Sequence, residues 1–281
     1  MALKNRLLLK VASRWIAGTN LDTAITDART ANSNGFGVVL NFLGEDVTDQ
    51  SVAEAHMQEY LRLQQALNTN KINGFTSVKL TQFGLGADDH QAAQRLRTVA
   101  SNAEKLNQLL WVDMEGSKFT ERTLGVYLDI HETFREVGVA LQSYLRRSEG
   151  DLNALLDRGA RVRLVKGAYR EPPDLVFRNR REVDENFSAL TRTLFERGDN
   201  FAIATHDSKL IDEAKKLADS KHVSFRFEML KGIRNDLKAE LVSSGYKVFE
   251  YLPYGEEWYA YSRRRLTEHP SNILLLARSL L

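Results

Sequence analysis

Eight short runs rich in β-branched and apolar residues recur along this chain, separated by longer segments that are charged along one side. The runs fall at residues 37–43, 74–80, 110–114, 138–142, 161–165, 201–205, 223–228 and 247–251. The segments at residues 50–68, 88–107, 121–137, 181–197, 208–218, 233–243 and 256–267 read as crossover helices. Strict alternation of strand and helix requires parallel pairing with right-handed crossovers, since a tight turn cannot return the chain to the same end of a sheet. Eight units in a chain of 281 residues predict a closed (βα)8 barrel of the α/β class. No linker, Pro/Gly-rich break or low-complexity stretch divides it, so residues 1–281 read as one domain, with residues 1–35 as a helical lead-in.

Composition removes several function classes. With no cysteine there is no disulfide, thiolate nucleophile, Fe–S cluster or cysteine-ligated zinc, and a reducing compartment such as the cytoplasm fits. The formal charge of +2 is spread over interleaved acids and bases, so no nucleic-acid footprint stands out. No apolar run approaches the ~18 residues that span a bilayer. The opening segment places Leu7, Leu8 and Leu9 after Lys4 and Arg6, but Lys10 and Arg14 interrupt the apolar stretch a signal peptide needs. Leu8, Val11, Ala12 and Trp15 share helical spacing; a helix on a membrane surface and a helix packed on the domain both have this pattern, and packing is the reading favoured.

Function in a barrel collects at the C-terminal ends of the strands. Almost every predicted strand delivers a polar group there: Glu45, Lys79, Asp113, Gln142, Arg163, Lys166, Thr205, His206, Glu228, Tyr251 and Tyr254. Lys79 stands in an otherwise apolar strand, where a Schiff-base lysine, a carboxylate clamp and a side chain snorkelling to the rim are all open. Asp113 on the next strand supplies the opposite charge, a pair that would keep Lys79 ionised. His206 lacks any compact metal-ligand spacing around it, so hydrogen bonding or ring packing is expected and no metal is. No GxSxG, GxxxxGK[ST] or GxGxxG motif occurs, so a nucleotide cofactor would not be held by a Rossmann turn.

Residues 161–169 alternate basic and apolar side chains before opening at Gly167 and Ala168, where a planar group could approach the backbone. The irregular stretch at residues 167–179, with Pro172 and Pro173, reads as a functional loop over the barrel mouth. Near the C-terminus Tyr261, Arg264, Arg265 and Glu268 recur at i, i+3, i+4, i+7, one face of a helix that carries charge where a core stripe would be apolar. Two adjacent guanidinium forks on that face suit a carboxylate, although an arbitrary Arg-Arg pair is more often solvated. From the residues alone, the chemistry stops at a cationic, anion-binding barrel mouth.

The blocks Arg163-Leu164-Val165-Lys166-Gly167-Ala168-Tyr169, Phe227-Glu228-Met229-Leu230 and Tyr261-x-x-Arg264-Arg265-x-x-Glu268 resemble signature blocks of the proline dehydrogenase family. The resemblance continues in order through Leu43-Gly44-Glu45, Ser77-Val78-Lys79, Val112-Asp113-Met114, Ala204-Thr205-His206 and Tyr251-x-Pro253, and so covers most of the chain. It implies a distorted TIM-type barrel that oxidises L-proline to Δ1-pyrroline-5-carboxylate on FAD and passes the electrons to a membrane quinone. It implies too that Arg264, Arg265 and Lys79 bind the substrate carboxylate, that Asp113 is the acid near Lys79 and the amine, and that Tyr251, Tyr261 and Leu230 pack on the ring. Arg163 matches the arginine beside flavin N5. Gln142, Lys166, Gly167, Ala168, Thr205, His206 and Glu268 match positions around the cofactor, and Glu45 a gate that pairs with an arginine of the last helix. Hydride transfer from proline needs a neutral amine, so activity is expected to rise with pH.

In one departure, Glu228 stands where the bifunctional relatives carry glutamine, and a carboxylate there alters its contacts with flavin or neighbours. The chain also starts close to the first strand, so the expectation is a protein without their aldehyde dehydrogenase module, which releases its product to a separate pyrroline-5-carboxylate dehydrogenase. A quinone acceptor implies cytoplasmic residence with peripheral contact at the inner face of the cell membrane. The rival readings are an aldolase-like barrel using Lys79 or Lys166 as a Schiff-base lysine, and a binding barrel that keeps the carboxylate clamp without the chemistry.

Overall fold

A computed structural model describes residues 12–221, 223–259 and 261–262. Its eight strands are β1 (Gly37–Phe42), β2 (Gly74–Lys79), β3 (Leu110–Asp113), β4 (Val137–Gln142), β5 (Arg161–Val165), β6 (Phe201–Ala204), β7 (Phe225–Leu230) and β8 (Val248–Tyr254). They pair in parallel, each with the next, and β1 closes on β8 over six residue pairs from Gly37↔Phe249 to Phe42↔Tyr254. Helices α1 (Leu21–Ser33), α2 (Gln50–Thr69), α3 (Asp89–Lys105), α4 (Ser117–His131), α5 (Ser148–Leu156), α6 (Arg180–Arg197), α7 (Ser208–Ser220) and α8 (Asn235–Ser243) complete the described elements, with a 3-10 turn at Leu80–Phe83. The predicted barrel is therefore the fold, and seven of its eight strands both begin and end within two residues of the predicted limits.

The exceptions have local causes. Strand β8 runs through Pro253, because its end pairs with β1 (Asn41↔Pro253) and its carbonyl accepts from Ala17 N at 2.7 Å. A proline at a strand end removes a donor and leaves that acceptor. Helix α4 begins at Ser117, four residues before the expected start, since its N-terminus is capped from outside by Glu171 of the β5–α6 loop: Glu171 Oε1 accepts from Ser117 N at 2.7 Å and Oε2 from Ser117 Oγ. Helix α5 has a capping residue without a side-chain bond and only nine residues, too short a run for periodicity to reveal.

Two apolar layers hold the barrel. The larger lies between the strands and the helices, where α2 contributes Tyr60, Leu63 and Leu67 and α3 contributes Leu96 and Val99, all fully buried. The smaller fills the barrel interior with Val39, Phe75, Trp111, Ala202 and Phe249. Room for Trp111 is made on β4: a Cβ placed on Gly138 would sit 2.2 Å from the indole ring. Because strand side chains alternate, the inward set of Phe75, Trp111 and Phe249 continues two positions later with Ser77, Asp113 and Tyr251, and Arg163 and Glu228 join this polar layer from β5 and β7. Apolar floor and polar mouth are thus consecutive layers of one interior.

The described part of the lead-in packs on the domain. Ala12, Trp15 and Ile16 cluster with Leu43 and Tyr261, and Trp15 Nε1 donates to Ser262 Oγ at 2.9 Å. Leu8 and Val11 of the expected amphipathic stripe lie outside the described residues. Among the described residues no helix is long and apolar enough to cross a membrane.

Candidate active site

Arg163, Asp113 and Tyr251 meet at the centre of the barrel mouth from three strands. Arg163 Nη1 donates to Asp113 Oδ1 at 2.6 Å and to Ser77 Oγ at 3.0 Å, while Ser77 Oγ donates to the same Asp113 oxygen at 2.8 Å. Tyr251 completes the set by donating to Asp113 Oδ2 at 2.7 Å. The guanidinium carbon of Arg163 lies 4.7 Å from the Trp111 ring centroid and 5.6 Å from that of Tyr251, within cation–π range. Only 3% of the Arg163 side chain is exposed, so its charge acts through protein more than through water. Burial first, and then the Asp113 carboxylate, push the Tyr251 phenol well above the ordinary tyrosine range.

Glu228 lies on the other side of Arg163. Its Oε2 is 2.6 Å from Arg163 Nε, its Oε1 accepts from Trp111 Nε1 at 3.0 Å, and Arg226 Nε stands 3.5 Å from Oε1. Arg163 is consequently flanked by two carboxylates, with its Nη2 buried and without a hydrogen-bond partner. Gln142, at the end of β4, donates to Met114 O at 3.3 Å and leaves its own Oε1 buried and unpartnered. A buried orphan donor and a buried orphan acceptor in one mouth are costly unless something else satisfies them.

Lys79 does not pair with Asp113 as expected. Although the two are register partners across β2 and β3, the ammonium forms its ion pair with Glu45 in the β1–α2 loop. The reason is depth: Asp113 has both oxygens taken by Ser77, Arg163 and Tyr251. Lys79, the last residue of its strand, reaches the rim on a long side chain. Glu45 holds Lys79, while the arginines of the last helix that it was expected to meet lie outside the described residues. Arg264, Arg265 and Glu268 lie outside the described residues. Tyr261 is buried in the cluster with Trp15 and Leu43.

The β5–α6 side carries the remaining expected residues. Lys166 turns away from the barrel axis to Asp184 at 2.5 Å and Asp207 at 3.0 Å. Burial favours a neutral Asp207, but Lys166 and Arg180 together hold its carboxyl below the usual range. Gly167 has φ +106°, and a Cβ on it would meet the Tyr144 ring at 2.2 Å; Ala168 beside it is exposed. The loop at residues 167–179 is tied down: Tyr144 donates to Glu171 at 3.2 Å, and Phe177 N donates to Tyr144 O at 2.8 Å. Thr205 Oγ1 accepts from Asp207 N at 3.2 Å. His206 Nε2 accepts from Leu230 N at 2.8 Å, and Lys238 Nζ donates to Leu230 O at 3.3 Å, so both backbone groups of Leu230 are fixed.

Three contributors were not singled out from the sequence. Ser77 and Trp111 lie two positions before Lys79 and Asp113, and the period of two that turns those charges inward turns these inward as well. Glu115 is buried, accepting from Thr81 N at 3.1 Å and Thr81 Oγ1 at 2.6 Å, and desolvation raises its carboxyl. Thr81 in turn binds the Glu45 loop, through Asp46 N to Oγ1 at 3.1 Å and Val47 N to its carbonyl at 3.0 Å. No sequence signal links Glu115 to that loop.

The profile of the family described as proline dehydrogenase matches residues 24–274. The chain belongs to the proline dehydrogenase family. It is 35% identical to proline dehydrogenase 2 of Bacillus subtilis over 96% of this chain and 93% of that protein. It is 32% identical to the proline dehydrogenase of Deinococcus radiodurans over 99% of this chain and 93% of that protein. Proline utilization A (PutA) from Bdellovibrio bacteriovorus, in a crystal structure inactivated by N-propargylglycine, superposes with a TM-score of 0.85 at 25% identity. That match covers 92% of this chain and 32% of the PutA chain, so the barrel spans about a third of that longer protein. Family membership makes the chain an oxidoreductase with proline dehydrogenation as its activity.

Proposed function

We propose that this chain oxidises L-proline to Δ1-pyrroline-5-carboxylate with FAD as its cofactor and a quinone as the final acceptor, the first step of proline degradation. The observation that carries this reading is the buried Arg163, stacked on Trp111, with Nη2 unpartnered near the mouth to which Gln142 brings an unpartnered Oε1. The pyrimidine edge of an isoalloxazine alternates carbonyl acceptors with an imide donor, so one guanidinium donor and one amide acceptor suit it. Gln142, Arg163, Lys166, Gly167, Ala168, Thr205, His206, Glu228 and Glu268 would hold FAD or support those that do. When bound, FAD supplies the hydride acceptor.

The residues of the chain bind and orient proline. Lys79, paired with Glu45, exchanges that partner for the substrate carboxylate, joined by Arg264 and Arg265. Tyr251, Tyr261 and Leu230 restrict the ring, and the fixed backbone of Leu230 makes that wall rigid. Asp113, already held by Arg163 and Tyr251, faces the amine. Loss of hydride from C5 and of the N–H proton then leaves the C5=N bond. Lys79 is engaged by Glu45, and Lys166 by Asp184 and Asp207, so neither amine stands open to a carbonyl substrate, which weighs against a Schiff-base mechanism.

The same reading takes residues 1–281 as one barrel domain, with residues 1–35 as the lead-in. It assigns peripheral contact with the inner face of the cell membrane for quinone access, and a separate enzyme to oxidise the product. The test is a visible spectrum of the purified protein before and after anaerobic addition of L-proline. Flavin bands that bleach support the reading, whereas a protein that stays colourless after incubation with FAD overturns it. N-propargylglycine, a secondary-amine amino acid like proline, inactivates the Bdellovibrio PutA and is expected to inactivate this protein in the same assay.

A further inference from the structure

Glu228 is buried, and its carboxylate sits against the most buried cation of the site. Its side chain is 2% exposed, on the inner face of β7 between Arg163 and Arg226. Along the barrel interior the charges alternate from Arg226 to Glu228 to Arg163 to Asp113, with contacts of 3.5, 2.6 and 2.6 Å. The Arg163 Nε to Glu228 Oε2 approach is not aligned as a hydrogen bond, so Glu228 acts on Arg163 chiefly through charge. Its directional bond goes elsewhere, from Trp111 Nε1 to Oε1. The rings of Trp111 and Tyr251 shield the pair, and charges in such surroundings interact far more strongly than in water.

We propose that Glu228 sets the reduction potential of the flavin bound beside Arg163, by cancelling part of the guanidinium charge that the flavin would otherwise feel. This rests on the flavin reading above. Reduction adds negative charge to a flavin, so an adjacent cation strengthens its hold on electrons and a carboxylate behind that cation weakens it. With the Glu228 carboxylate behind Arg163, the cofactor is a weaker oxidant of proline and a better donor to its acceptor. Glu228 is thus a positioning and tuning residue, distinct from the groups that touch substrate.

The test is Glu228→Gln, which keeps an oxygen for Trp111 and removes only the charge. Its FAD midpoint potential, measured anaerobically against a redox dye in the intact protein, should move positive by at least about 30 mV, the shift equivalent to a tenfold change for a two-electron couple. Glu228→Asp, which retains the charge, should stay within that tenfold of the parent. Arg226→Gln, which strips Glu228 of its other cation, should move the potential the opposite way and provides an independent arm if Glu228→Gln does not fold. Flavin bands with an unmoved potential in the variants overturn the inference alone. A parent protein that takes up no FAD overturns both the inference and the flavin reading beneath it.

Discussion

Tyr251 on β8 donates its hydroxyl proton to Asp113 on β3 at 2.7 Å, joining strands that are not neighbours in the barrel wall. This bond crosses the mouth and fixes the face of Asp113 that Arg163 does not reach. Tyr251→Phe removes one hydrogen bond to a charged group, and kcat/KM for proline is expected to fall roughly ten- to a hundredfold, on the order of 1.5–3 kcal/mol. An unchanged kcat/KM in steady-state assays would rule out a working role for the bond.

The same tyrosine makes a statement about alkaline stability. Burial, followed by the charge of Asp113, raises the Tyr251 phenol, and burial likewise raises Tyr60. For a group whose folded pKa lies above its unfolded value, the stabilisation is complete below the unfolded value, about 10 for tyrosine, and disappears as pH climbs toward the folded one. The thermal midpoint should therefore fall above about pH 10, and less steeply in Tyr251→Phe than in the parent. Parallel curves for the two proteins would mean that Tyr251 contributes nothing to the alkaline limb.

Arg163 meets Asp113, Ser77, Glu228 and the Trp111 ring at once, which a planar fork can do and a single ammonium cannot. Arg163→Lys should lower kcat by about 10²–10³ while the protein still folds. Stopped-flow reduction by proline separates this loss in the chemical step from a loss of substrate binding. A variant reduced at the parent rate contradicts the assignment.

The Lys79–Glu45 pair predicts a different kinetic signature. Lys79→Met removes a ligand of the substrate carboxylate and is expected to raise KM for proline about tenfold or more, with a smaller effect on kcat. Glu45→Gln leaves Lys79 without this carboxylate and should tighten binding of anionic proline analogues in equilibrium titrations. Weaker binding in Glu45→Gln would show that the pair shapes the site more than it competes with substrate.

Glu171 joins the β5–α6 loop to the start of α4 and to Tyr144. Glu171→Ala should cost about 0.5–2 kcal/mol, as loss of a helix cap does, and open residues 167–179 to limited proteolysis. If the loop resists protease as well as in the parent, it is held by its backbone bonds to Tyr144 and Arg146 instead.

The alternation of apolar runs and one-sided helices determined the closed barrel from the sequence, because a parallel strand buried on both faces and a helix buried on one leave different periodicities in the chain. The inward layer at the mouth was legible for the same reason: once Lys79, Asp113, Arg163, Glu228 and Tyr251 are assigned to strand ends, a period of two turns them toward a common axis. Which of them would touch was not. Strand register places Lys79 beside Asp113, but depth in the barrel and competition for two carboxylate oxygens give Asp113 to Arg163, Ser77 and Tyr251, and Lys79 to Glu45. The cap on α4 and the Glu115–Thr81 contact arise likewise from residues far apart in sequence. Local pattern encodes which way a side chain points; only the closed structure decides which opposite charge is within reach when it gets there.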